Sequence, residues 1–179
     1  MKILGPDNAF WCDGEWIDWD DIIDPDEVDP SVLRRLERED RMRQAFPKSD
    51  IRLVPYFQNL LLIARSFHET TGRHLAVYGD IGELFGAIVY GIKLNRTYAQ
   101  GSDGRLGPDH VEIKTIAPHN GTGQVAVRPT GNFNKLLVVR IDRDFEVRGK
   151  MVDRKALRLT GKGPARRSWD AIDAPTQKA

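Results

Sequence analysis

A single cysteine, Cys12, stands among 179 residues, which rules out an internal disulfide and any cysteine-rich zinc site. Long apolar runs are missing as well, and no stretch approaches the ~20 residues that a membrane-crossing helix needs. The opening MKILGPDNAF is broken by Gly5 and Pro6 too early for a secretory leader. These absences predict a cytoplasmic protein with no membrane partner. Net charge is almost absent too, at +1, but residues 1–30 hold ten acidic residues and one basic, so residues 31–179 carry +10. A basic body suits a polyanionic partner, because phosphate neutralisation supplies most non-specific affinity for nucleic acid. It equally suits the pairing of acidic and basic segments within one fold.

What is present, 40% hydrophobic and 30% charged residues, supports one domain with a sizeable core and an appended arm. Asn8–Trp19 reads as a β-hairpin about Asp13-Gly14, the favoured pair of a two-residue type I′ turn. Its Trp11, Trp16 and Trp19 are too large a payload for an isolated hairpin and predict docking on the body or on a protein partner. After an acidic connector, Asp29 caps and Pro30 starts a charged helix running to Phe46. Asp50–Thr71 reads as a second helix, with Ser49 as cap, Gly72 at its end and His68 on its surface. Its Leu53, Phe57, Leu60, Leu61, Ala64 and Phe67 recur at helical spacing. A third helix, Asp80–Tyr90, is capped by Asp80 and closed by Gly91, and Gly82, Gly86 and Ala87 keep one side thin. Strands are predicted at His110–Ala117, Gly123–Arg128, Lys135–Asp142 and Phe145–Asp153, the third apolar enough to be central. The loops Pro118–Gly123 and Pro129–Lys135 read as mobile and polar, and the chain from Asp170 onward as disordered.

The stretch that carries chemistry is Gly101–Lys114, GSDGRLGPDHVEIK. In a strand from His110, Glu112 and Lys114 share one face while Val111 and Ile113 share the other. Gly104, Gly107 and Pro108 supply a turn that brings Asp103 beside Glu112. Two close carboxylates repel unless a cation separates them, so the pair reads as oxygen ligands for a hard divalent ion such as Mg²⁺ or Mn²⁺. Lys114 on the same face is placed to orient water or offset phosphoryl charge. These are the parts of a phosphodiester hydrolase. Opposite charges on one exposed strand face are also commonplace and of small energetic value.

Together with Glu83 in the first turn of the third helix, this pattern resembles the PD-(D/E)XK nuclease superfamily over about Gly79–Asp153. Ser102 rather than proline precedes Asp103. Asp109 of the Pro108-Asp109 dipeptide lies three residues from Glu112, on the opposite strand face, and reads as a turn residue. The resemblance implies a restriction-endonuclease-like α/β fold, a mixed central sheet of four or five strands flanked by helices, with an N-terminal β-hairpin and helical arm. Residues 1–29 would be the acidic hairpin arm, 30–72 a helical segment, 73–160 the core, and 161–179 a basic, then flexible, tail. It further implies that Glu83, Asp103 and Glu112 hold Mg²⁺ or Mn²⁺, that Lys114 positions water, and that the substrate is nucleic acid, DNA ahead of RNA, with a homodimer suited to cutting two strands. Gln124, Arg128, His119, Lys135, Arg166 and Arg167 are the candidate substrate contacts. The alternative is a non-catalytic nucleic-acid- or protein-binding module on the same fold, and a helix dipole alone would favour an acidic residue at Glu83.

Overall fold

The computed structural model describes residues 9–12, 15–18, 29–47, 49–96, 101–161 and 163–178, the first two segments as backbone only. Two compact units divide the chain, Met1–Met42 and Arg43–Ala179. In the first, β1 (Ala9–Cys12) and β2 (Glu15–Asp18) pair antiparallel with Cys12 opposite Glu15, the register expected of the predicted hairpin; its turn, Asp13-Gly14, lies outside the described residues, as do the three tryptophan side chains and the connector. The helix α1 (Pro30–Ala45) starts as predicted, with the Ser31 amide donating to Asp29 Oδ1 at 2.7 Å. Most of its exposed positions are polar or charged, though Leu33 and Leu36 are exposed as well, and the helix buries no residue.

The second unit is mixed α/β. A 3₁₀ turn, Ile51–Leu53, is capped by Asp50, whose side chain accepts from the Arg52 amide. Ser49 does not cap it and instead donates to Phe46 O at 2.8 Å. Helix α2 (Val54–Thr71) follows and ends at Gly72, whose φ of 68° is the left-handed stop that glycine adopts without strain. Helix α3 (Tyr78–Val89) begins two residues ahead of Asp80, which falls in the first turn rather than at the cap.

The main sheet has six strands in the order β10-β8-β7-β5-β4-β3, one or two more than expected. These are β3 (Lys93–Leu94), β4 (Gly104–Leu106), β5 (Asp109–Ile116), β7 (Lys135–Ile141), β8 (Val147–Asp153) and β10 (Thr176–Lys178). β5 and β7 run parallel, and the other pairs are antiparallel. Two segments depart from expectation. β6 (Gln124–Val127) leaves the main sheet and pairs with β9 (Ala165–Ser168) in a separate two-stranded sheet, so Gln124 and Arg128 do not extend the Glu112 surface. The region expected to be disordered carries buried Ile172 and ends in β10. The polar loop before β7 is held as well: the Arg154 guanidinium donates to the carbonyls of Pro129, Gly131 and Phe133. Among the described residues no helix is long and apolar enough to cross a membrane.

Strand alternation decides which side chains face which layer. Leu136, Leu137, Val138 and Val139 are all fully buried, so β7 has apolar cover on both faces, each such side chain contributing roughly 1.5–3 kcal/mol. On one face lies α3, brought close by glycine. A Cβ on Gly82 would sit 2.0 Å from Thr115 Oγ1, and one on Gly86 would meet Leu137 and Ile113. On the other face Leu136, Val138 and Ile116 pack with Val125, Phe133, Leu157, Trp169 and Ile172. Gly82→Ala should therefore destabilise the protein by about 1–3 kcal/mol through overpacking, measured by chemical denaturation, and Thr115→Ala should recover part of the loss. A fully stable Gly82→Ala protein would show that the helix does not sit this close.

Candidate functional site

The site begins where a hairpin comes apart. β4 and β5 pair from Leu106 and Asp109, across Gly107 with φ 59°, as far as Gly104 and Val111. The Asp103 amide still donates to Val111 O at 3.0 Å. Beyond it the ladder stops, and the Asp103 carboxylate takes over, accepting from the Ile113 amide at 2.6 Å through Oδ2. Asp103 is thus fixed beside the backbone between Glu112 and Lys114, as the sequence predicts. Its own segment is pinned by Asn95, whose amide nitrogen donates to Ser102 O at 3.0 Å and whose backbone donates to Asp103 O at 2.9 Å. Ser102 is buried, and its hydroxyl lies 3.3 Å from His110 Nδ1. Asn95 and Ser102 are positioning residues that the motif does not announce, since they lie outside its acidic and basic pattern.

Glu112 and Lys114 form an ion pair, Nζ to Oε1 2.6 Å, with side-chain exposures of 21% and 35%. Partial burial makes this more than a solvated surface pair. In register they stand beside Leu136 and Val138, on the face away from α3, while Ile113 and Thr115 face the helix. Glu83 comes from α3. Burial pushes its carboxyl above the ordinary glutamate value, the negative charges of Asp103 and Asp80 add to that rise, and the Lys114 ammonium opposes it. Glu83 therefore shares an electrostatic group with Asp103 and Lys114, Glu112 joins it through the ion pair with Lys114, and Asp80 is an acidic member that the sequence reading did not include. Its position one helical turn before Glu83 was the available signal. Among the described residues no three histidine, cysteine, aspartate or glutamate side chains are grouped closely enough to hold a metal ion by themselves.

The outlying candidates do not join this group. Asp109 opens β5 and, with Asp153, pairs with Lys135, at 3.6 and 2.7 Å; Lys135 is thereby held by carboxylates. Arg167 donates to Leu157 O at 2.6 Å and clamps the turn after β8. Gln124, Arg128 and Arg166 belong to the small sheet or its end, with Arg128 and Arg166 exposed. His119 packs against the rings of His74 and Tyr78.

No protein-family model matches the chain, and a search of curated proteins finds no significant match. Function has to be argued from the geometry.

That geometry has a measurable signature. Because the folded protein raises the Glu83 pKa, its contribution to stability is full below the unfolded value of about 4.5 and is lost as pH rises through the folded value. Glu83→Gln should unfold at the same temperature as the parent near pH 4 and at a higher one at pH 7. Equal melting curves at both pH values would show that the carboxylate is not desolvated.

Proposed function

We propose that the chain is a divalent-metal-dependent nuclease hydrolysing phosphodiester bonds of nucleic acid, DNA ahead of RNA. The observation that carries this reading is the hydrogen bond from the Ile113 amide to Asp103, which places a carboxylate between Glu112 and Lys114 while Glu83 feels its charge. Mg²⁺ keeps most of its waters and takes one or two carboxylates, with substrate phosphates completing its shell, so a dedicated protein cage is not required. The donor set fits such an ion: hard oxygens, one oxygen of Asp103 and one of Glu112 outside the contacts just described, and a Glu83 whose pKa is raised first by burial and then by the negative charges of Asp103 and Asp80. Of Asp103, Glu112 and Glu83, one or two would ligate it directly, and the remainder would act through its bound waters. When bound, the ion would neutralise charge developing on the phosphoryl oxygens.

The protein's own groups supply the rest. Asp103 is fixed by the backbone, so its free oxygen needs no reorganisation on binding. Lys114, released from Glu112 when that carboxylate turns to a cation, can donate to a phosphoryl oxygen or orient the attacking water. Half-burial of this pair reduces solvent screening and strengthens both effects.

Purified protein is incubated with DNA and RNA substrates in Mg²⁺, Mn²⁺ or chelator, beside Asp103→Asn, Glu112→Gln and Lys114→Ala. Asp103→Asn retains an oxygen acceptor for the Ile113 amide and removes the charge, so it tests chemistry apart from folding. Metal-dependent cleavage reduced by a factor on the order of 10²–10³ in each variant is expected. Full cleavage by Asp103→Asn or Glu112→Gln would refute the assignment. The competing reading, a non-catalytic binding module, draws on the same contacts: Glu112 already neutralised by Lys114 and Asp103 engaged with Ile113. It predicts nucleic-acid binding that is unchanged in all three variants, with no cleavage by any of them.

A further inference from the structure

Three of the four histidines in the chain meet at one place. His68, on α2 and read from sequence as a surface residue, stacks on His74 from the α2–α3 connection, with centroids 4.2 Å and planes 14° apart. His119, from the loop after β5, has its ring 4.7 Å from that of His74. The Tyr78 hydroxyl of α3 is 2.8 Å from His74 Nδ1. Nδ1 of His68 lies 3.3 Å from the Arg73 carbonyl, an acceptor only, so this nitrogen carries hydrogen. The three rings line a cavity of about 730 Å³, and Arg140 and Arg143 contribute to its wall.

Three carboxylates also line the cavity, and exposure decides their weight. Asp142 is consumed by its own turn: Oδ1 accepts the amides of Asp144 and Glu146 at 3.0 Å, and Oδ2 lies 3.8 Å from Arg148. Asp144 and Asp170 are exposed, where water screens them, and Asp144 is within electrostatic reach of Arg65 on α2. Arg140 is half-buried, and among the described residues neither it nor Arg143 has a carboxylate partner. Burial holds the His74 imidazole below the ordinary histidine value, and His68 and His119 reinforce this. The cavity wall thus carries half-buried His68, His74 and Arg140 with exposed His119 and Arg143, and the charging of His74 is opposed by burial and by its two histidine neighbours.

We propose that this cavity binds a phosphate group, free or as part of a nucleic-acid strand, through the imidazoles of His68, His74 and His119 and the guanidinium of Arg140. The inference is independent of the nuclease reading, because none of Glu83, Asp103, Glu112 and Lys114 lines the cavity. Arginine and imidazolium both make charge-assisted hydrogen bonds to phosphate oxygens. A bound anion favours a protonated His74, whose charging is otherwise opposed, so affinity rises as pH falls.

The test follows the imidazole resonances of the intact protein by NMR as inorganic phosphate, pyrophosphate or a short single-stranded oligonucleotide is added at pH 6 and pH 8. Saturable shifts of His68, His74 and His119, with His110 unmoved, are expected, at a Kd about tenfold lower at pH 6 and about tenfold higher in Arg140→Gln. Response to the small anions alone assigns a small phosphorylated ligand; response to the oligonucleotide through the same rings assigns a strand. No saturable shift with any probe, or a Kd indifferent to pH, overturns the proposal. Asp103→Asn should bind as the parent does, which separates this outcome from any failure of the nuclease assignment.

Discussion

The middle of strand β7 has no side that water can reach. With Leu136 to Val139 all buried, the sheet needs cover on both faces, and the rest of the second unit is arranged to give it. α3 covers one face by direct approach, which three glycines permit: Gly82 and Gly86 on the helix, and Gly149 on β8, where Phe85 fills the place of a side chain. The other face is covered by irregular chain, the small sheet and the segment around Trp169 and Ile172. A helix that close cannot rotate without colliding with β5, so Glu83 is aimed by packing and not by its own preference.

Asp103 joins the fold to the chemistry. A backbone amide at the end of a ladder must find a partner or suffer a desolvation cost of ~1–3 kcal/mol. Here the partner is a carboxylate, so the residue that closes the hairpin also places a negative charge beside Glu112 and Lys114. A structural duty and a chemical one are met by different oxygens of one side chain.

Local features were legible in the sequence because local physics sets them. Asp29, Pro30, Gly72 and the Glu112/Lys114 alternation act through neighbours a few residues away, and the structure places each as its pattern implies. Long-range pairing was not legible. β6 has the composition of a main-sheet strand, yet its partner is β9, with Gln124 opposite Ser168, and nothing in either segment names the other. Arg166 and Arg167 looked like a phosphate-binding tail because basic residues read alike whether they face water or clamp a turn. The histidine cluster is drawn from residues 68, 74 and 119, a proximity that exists only after folding.

The pairing of β6 with β9 also sets an order of events. The face made by Ile116, Leu136 and Val138 is complete once β7 has formed, but its cover includes Trp169 and Ile172, which a ribosome adds later. During synthesis at ~5–20 residues per second, that face waits for seconds with its oil side bare. The C-terminal segment is thus the closing panel of the core, and a chain stalled before Trp169 would present a sheet surface suited to capture by chaperones.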